Sequence, residues 1–119
     1  LVGGAMAGQP LQVNFEDRGT MVVVTPMGEI SYSEATSFRA VLKRASDLAR
    51  PRIVIDLSRV DYMNSPGVAT LVEALQNARR NRVRLILAGI TPRVFAIFQI
   101  ARLHTVFEIR DTLEAATGD

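Results

Sequence analysis

The sequence predicts one α/β domain: a mixed β-sheet of about five strands with about four helices, in the order β-β-α-β-α-β-α-β-α. Three observations predict it. From residue 51 onward, strand-like runs alternate with segments of helical apolar spacing, the pattern of a sheet joined by right-handed crossovers. Two of the runs, "RIVIDL" (52–57) and "VRLILAG" (83–89), have almost no polar break, as expected of neighbouring interior strands covered on both faces. Ahead of them, two strand-like segments follow one another directly, which makes a hairpin and a mixed sheet. At 119 residues the chain suits a single domain, which buries roughly two-thirds of its unfolded surface.

The hairpin is "LQVNFED" (11–17) and "MVVVTPMG" (21–28), turned by Arg18-Gly19-Thr20. Pro26 lacks a ladder donor, so its part of the strand belongs at an edge or an irregularity. Ser31 or Ser33 then caps a helix whose apolar positions run from Ala35 and Phe38 to Leu48 and Ala49, and Arg50-Pro51 ends it. After the first apolar run, a helix spans about Pro66 to Asn81. Its stripe is Val68, Leu71, Val72, Leu75 and Ala78, while Thr70, Glu73, Asn77 and Arg80 face away. Thr91 caps the next helix with Pro92 at its first position; Val94, Ile97, Phe98 and Ala101 form its core face. Phe95, Ile100 and Leu103 exceed that face, so at least one of them is expected at the surface, available for self-association or a partner. "TVFEI" adds a short strand and "DTLEAAT" a last helix capped by Asp111. Residues 11–117 form the domain. Residues 1–10 are expected to be a tail in part foreign to the natural chain, with Met6 the expected natural start.

Composition removes several function classes. With no cysteine there is no disulfide frame, thiolate nucleophile or cysteine zinc site. No apolar run approaches the roughly 18 residues of a membrane helix, and the start lacks the pattern of a signal peptide. A cytoplasmic protein is expected. No Walker loop or dinucleotide fingerprint is present, so neither a cofactor nor a metal is expected. The arginines of "ARRNRVR" (78–84) read as a helix end favouring the dipole and a strand start. No aromatic platform accompanies them, so no direct contact with nucleic acid is expected.

The corner "NSPG", Asn64 to Gly67, carries the chemistry. Three readings of Ser65 compete. It caps the helix that Pro66 opens. It acts as a nucleophile, which would need an oriented base; His104 is the sole histidine and reads as a helix-end residue, and "NSPG" is not the glycine-flanked nucleophile elbow. Or it accepts a phosphate, which would add nearly two negative charges beside the positive end of a helix and alter what docks there.

"VIDLSRVDYMNSPGVATLVEAL" (54–75) resembles the signature of STAS domains, the sulfate transporter and anti-sigma factor antagonist family, in which a buried strand ending in Asp-Leu-Ser precedes an Asp-Ser-Ser-Gly or Asp-Ser-Thr-Gly helix start. "GEIS" (28–31) resembles the family's Gly-Glu-Leu-Asp, and "TPRVFAIFQIARLHTVFEI" (91–109) its last third. The resemblance implies a non-enzymatic antagonist. Ser65 would be phosphorylated by an anti-sigma factor that is a serine kinase, binding would end on phosphorylation, and a phosphatase would reset it. Ser31, Tyr32, Asn64, Pro66, Gly67, Thr70, Glu73 and Asn77 would form the partner-binding surface. The other reading is a stand-alone subunit docked on a membrane permease, such as a lipid-transport ABC system, without the switch. A homodimer is compatible with either. Three departures bear on the choice: Asn64 and Ser31 each replace an aspartate, and Pro66 replaces the second hydroxyl residue.

Overall fold

The computed structural model describes residues 11–118, so the tail expected at residues 1–10 lies outside the described residues. The elements are β1 (Gln12–Asp17), β2 (Met21–Ile30), α1 (Tyr32–Asp47), β3 (Arg52–Asp56), β4 (Val60–Met63), α2 (Ser65–Arg80), β5 (Arg84–Ala88), α3 (Pro92–Ile100), β6 (Glu108–Arg110) and α4 (Leu113–Thr117). The sheet runs β1-β2-β3-β5-β6. β1 and β2 are antiparallel, and the remaining pairs are parallel.

β3 and β5 are adjacent interior strands, with Ile53 opposite Leu85, Val54 opposite Ile86 and Ile55 opposite Leu87. Their unbroken hydrophobicity has a two-sided cause. Ile53, Ile55, Leu85 and Leu87 join the main core with Phe38 of α1, Leu71 of α2 and Phe98 of α3. Val54, Ile86 and Ala88 point to the other face beside Val23 of β2, and Ala116 of α4 packs with them there. α4 has only five residues, too few for a helix to persist alone. It is held by that packing and by Arg52, whose guanidinium donates to the Ala116 and Gly118 carbonyls at 3.1 and 2.6 Å. Its cap is Thr112, whose hydroxyl oxygen accepts from the Ala115 N–H at 3.1 Å, one residue beyond the expected Asp111.

A sixth strand, β4, is absent from the sequence reading. β2 has ten residues and serves two partners on one side. Met21–Val24 pair with β3, and Gly28–Ile30 pair with β4 across a register shift at Gly28/Glu29. Gly28 has φ 93°, a conformation glycine adopts without penalty. Pro26 falls in the interval between these two pairings, the irregularity expected of it.

Helix ends differ in detail. α1 stops at Asp47, and Ala49, at φ 55°, turns the chain before Pro51 is reached. α3 stops at Ile100, so Ala101, placed on the core face by spacing, is exposed. Thr91 caps α3 as expected, accepting from the Val94 N–H at 3.4 Å. Of the three surplus apolar residues, Ile100 is 85% exposed. Phe95 and Leu103 are half-buried, Phe95 meeting the His104 ring edge-on with centroids 5.8 Å apart.

Candidate functional site: the Ser65 corner

The corner forms because β2 and β4 are neighbours and both run straight into helices. β2 ends at Ile30, and Ser31 caps α1. β4 ends at Met63, and Asn64 caps α2. Parallel pairing of Ile30 with Met63 therefore brings the two helix starts together. The Asn64 N–H donates to the Ile30 carbonyl at 3.3 Å. A Cβ on Gly67 would lie 2.5 Å from the same oxygen, so the first turn of α2 rests directly on the end of β2. Gly67 is buried, and its part in the corner is this close approach rather than a partner-facing surface.

The cap of α2 is Asn64, not Ser65. Its side-chain oxygen accepts from the Gly67 N–H at 3.4 Å, while Ser65 occupies the first helical position and Pro66 the second. Asparagine caps as well as aspartate, so the Asn64 departure keeps the structural role and removes only the charge. Ser65 is exposed, and among the described residues its hydroxyl has no hydrogen-bond partner. Asn64→Ala is expected to cost about 1 kcal/mol. Ser65→Ala is expected to stay within about 0.5 kcal/mol of wild type, and urea unfolding of the two variants separates the roles.

Ser31 is engaged in an S-x-x-E capping box. The Glu34 carboxylate accepts from the Ser31 hydroxyl at 2.6 Å and from its N–H at 2.9 Å, and the Ser33 hydroxyl donates to its other oxygen at 3.0 Å. A carboxylate missing at position 31 is thus restored to the corner three residues later. The sequence reading missed this although Ser31-Tyr32-Ser33-Glu34 displays the spacing. The Ser31 hydroxyl, and secondarily its N–H, hold the Glu34 carboxyl below the ordinary 4.5. A depressed folded-state pKa adds stability that is present above the unfolded value and is lost as pH falls through the folded one. Below about pH 5 wild type is therefore expected to lose stability that Glu34→Gln does not, measured as Tm against pH.

Tyr32 opens α1 with 81% of its surface exposed. With Ser33, Ala35, Thr36, Arg39 and Pro66 it lines a shallow hollow of about 480 Å³. Pro66 contributes one wall, so the hollow begins one residue from Ser65.

The structure corrects the outer face of α2. Thr70 is 1% exposed, and its hydroxyl donates to the Gly67 carbonyl at 2.6 Å. α2 is buried along two sides, by the sheet and by α1, where one apolar stripe was expected. Glu73 remains exposed but is tied across the helix pair to Arg39, whose guanidinium nitrogen lies 2.8 Å from it. Asn77 is half-buried and donates to the Ser46 hydroxyl oxygen of α1 at 2.7 Å. It lies twelve residues beyond Ser65, about 18 Å at the helical rise, and serves helix packing rather than the corner. Among the described residues no group of three or more histidine, cysteine or carboxylate side chains is placed to hold a metal, and no helix is long and apolar enough to cross a membrane.

A mixed α/β sheet in which a strand leads through "NSPG" into a helix that carries a serine at its start is the architecture that the resemblance implied. The STAS domain pattern matches residues 12–116, and the chain belongs to the STAS domain family. A Bordetella bronchiseptica protein, BtrV, named as an anti-sigma factor antagonist, is 27% identical over 98 residues, covering 82% of this chain and 84% of its own. The anti-sigma-B factor antagonist of Listeria monocytogenes is 37% identical over 65 residues, little more than half of either chain (55% and 57%). Among solved structures, the Bacillus cell-fate determinant SpoIIAA in its phosphorylated form shares the fold with a TM-score of 0.67 at 24% identity, over 89% of this chain and 95% of its own.

Proposed function

We propose that this protein is an anti-sigma factor antagonist: a cytoplasmic, non-enzymatic STAS domain that binds an anti-sigma factor with serine-kinase activity and is released when Ser65 is phosphorylated. A phosphatase would reset it. The observation that carries this reading is the division of labour at the start of α2. Asn64 does the capping, which leaves the neighbouring Ser65 hydroxyl exposed and chemically idle. A hydroxyl spent on the cap would have to leave its N–H partner to react. A free one costs the fold nothing when modified.

The physical effect of a phosphate follows. Nearly two negative charges at the first helical position are favourable to α2 itself, so the domain keeps its shape. A partner docked on Ser65, Asn64, Pro66, Tyr32 and Ser31 would instead have to desolvate those charges against a surface prepared for a neutral hydroxyl. The retained carboxylates of Glu34 and, farther along, Glu73 deepen that contrast. The signal is binary and needs no refolding. The relatives' names and the phosphorylated SpoIIAA fold support the assignment.

The test is direct. Wild type and Ser65→Ala are incubated with ATP and a purified serine kinase of the anti-sigma class that binds the protein, and phosphate is mapped by mass spectrometry. Stoichiometric phosphate on Ser65, absent from the alanine variant, is expected. Phosphate elsewhere, or none from a kinase that binds the protein, would refute the switch.

A further inference from the structure

The charge of this chain is segregated. Residues 74–107 hold six arginines, Arg79, Arg80, Arg82, Arg84, Arg93 and Arg102, and no carboxylate, whereas all 12 carboxylates lie outside that stretch. The overall charge of +2 conceals this. The fold then gathers most of these arginines at one end. α2 finishes at Arg80 and turns through Arg82. α3 finishes at Ile100 and turns through Arg102 to Val106. The two turns meet where the Arg79 guanidinium donates to the Val106 carbonyl at 3.3 Å. Arg84 is paired with Glu108, and Arg93 lies over the Tyr62 ring. Arg79, Arg80, Arg82 and Arg102 are exposed and have no carboxylate partner among the described residues.

Two further features set this end apart. Arg82 and Arg102 each have φ 59°, a left-handed conformation that glycine or asparagine would adopt more cheaply. Both turns thus carry a cation where local geometry favours another residue. At the end of α3 and in the turn that follows it, Ile100, 85% exposed, and Val106, 41% exposed, protrude.

We propose that this end of the domain docks on an anionic lipid bilayer, with Ile100 entering the headgroup boundary and the four unpaired arginines engaging lipid phosphates. An exposed aliphatic side chain beside a cationic turn suits a soft, negatively charged surface. Single-stranded nucleic acid would call for exposed aromatic platforms, and here Phe107 is buried and Phe95 half-buried against His104. A second copy meeting this end symmetrically would set the two arginine clusters against each other. Ser65 lies at the opposite end of α2, about 22 Å away at the helical rise, so the corner stays on the aqueous side and the two surfaces operate independently.

The test is cosedimentation of the purified full chain with vesicles of phosphatidylcholine, with and without phosphatidylglycerol, at low and high salt. Binding is expected only with phosphatidylglycerol and is expected to fall as salt rises. An arginine near such a surface contributes about fivefold in affinity. Arg82→Gln with Arg102→Gln is therefore expected to weaken binding by about 25-fold, and Ile100→Ser by about tenfold. All three positions are exposed, and unchanged thermal melts would establish that the variants fold; Arg79→Gln with Arg80→Gln gives a second, independent pair. Equal sedimentation with both vesicle types, or variants that bind like wild type, would overturn the proposal. So would duplex DNA bound more tightly than the vesicles and with no effect of Ile100→Ser, which would identify a nucleic-acid surface.

Discussion

Gly67→Ala is expected to destabilise the domain by about 2 kcal/mol and to abolish partner binding with it. An added Cβ would sit 2.5 Å from the Ile30 carbonyl oxygen and 3.1 Å from the Ile30 Cγ2. The first of these neighbours is backbone, anchored in β2 by pairing with β4, and cannot swing aside like a side-chain tip. Alanine has the better helix propensity by about 1 kcal/mol, which offsets only part of the overlap. Relief comes by lifting the first turn of α2 off β2. That motion stretches the Asn64 N–H to Ile30 bond and carries Ser65 away from Tyr32. Urea unfolding gives the stability and calorimetric titration the affinity. A variant as stable as wild type would mean that α2 is free to retreat, and the corner would not be the rigid platform described above.

Ser65→Asp is expected to do the opposite: to leave the melting temperature unchanged or slightly raised, and to weaken binding of the proposed anti-sigma partner by roughly 100-fold. The first effect follows from a negative charge at a helix start, favourable by about 0.3–1 kcal/mol. The second corresponds to about 2.7 kcal/mol, within the range measured when a charge is desolvated in an interface without a partner. Ser65→Ala removes a hydroxyl with no protein partner and is expected to bind like wild type. The three proteins together separate charge from bulk in one calorimetric series. An aspartate variant that binds at wild-type affinity would place the interface elsewhere.

What could be read from residues alone was whatever depends on local periodicity. β3 and β5 were legible because two-sided burial leaves no polar positions in "IVI" and "LILA", and the cap at Thr91 because Pro92 follows it directly. The serine corner was legible because strand, "NSPG" and helix follow one another in the chain. β4 was not. Four residues with Asp61 exposed and Val60 and Met63 buried look like a loop until β2 proves long enough to pair twice.

The tertiary structure alone decided which side chains the corner presents. Thr70 is polar and lies off the apolar stripe, yet α1 packs over it, and its hydroxyl is satisfied within its own turn; sequence spacing describes one buried face and has no knowledge of a second neighbour. Asn77 turns toward Ser46, 31 residues away in sequence, for the same reason. The choice between Asn64 and Ser65 as cap turns on a one-residue difference in where extended backbone gives way to helix. That point is set by the pairing of β4 with β2 and by the contact of Gly67 with Ile30, both long-range. The sequence by itself determined that a serine stands at a strand-to-helix corner. Packing between elements distant in the chain determined that its hydroxyl is left free.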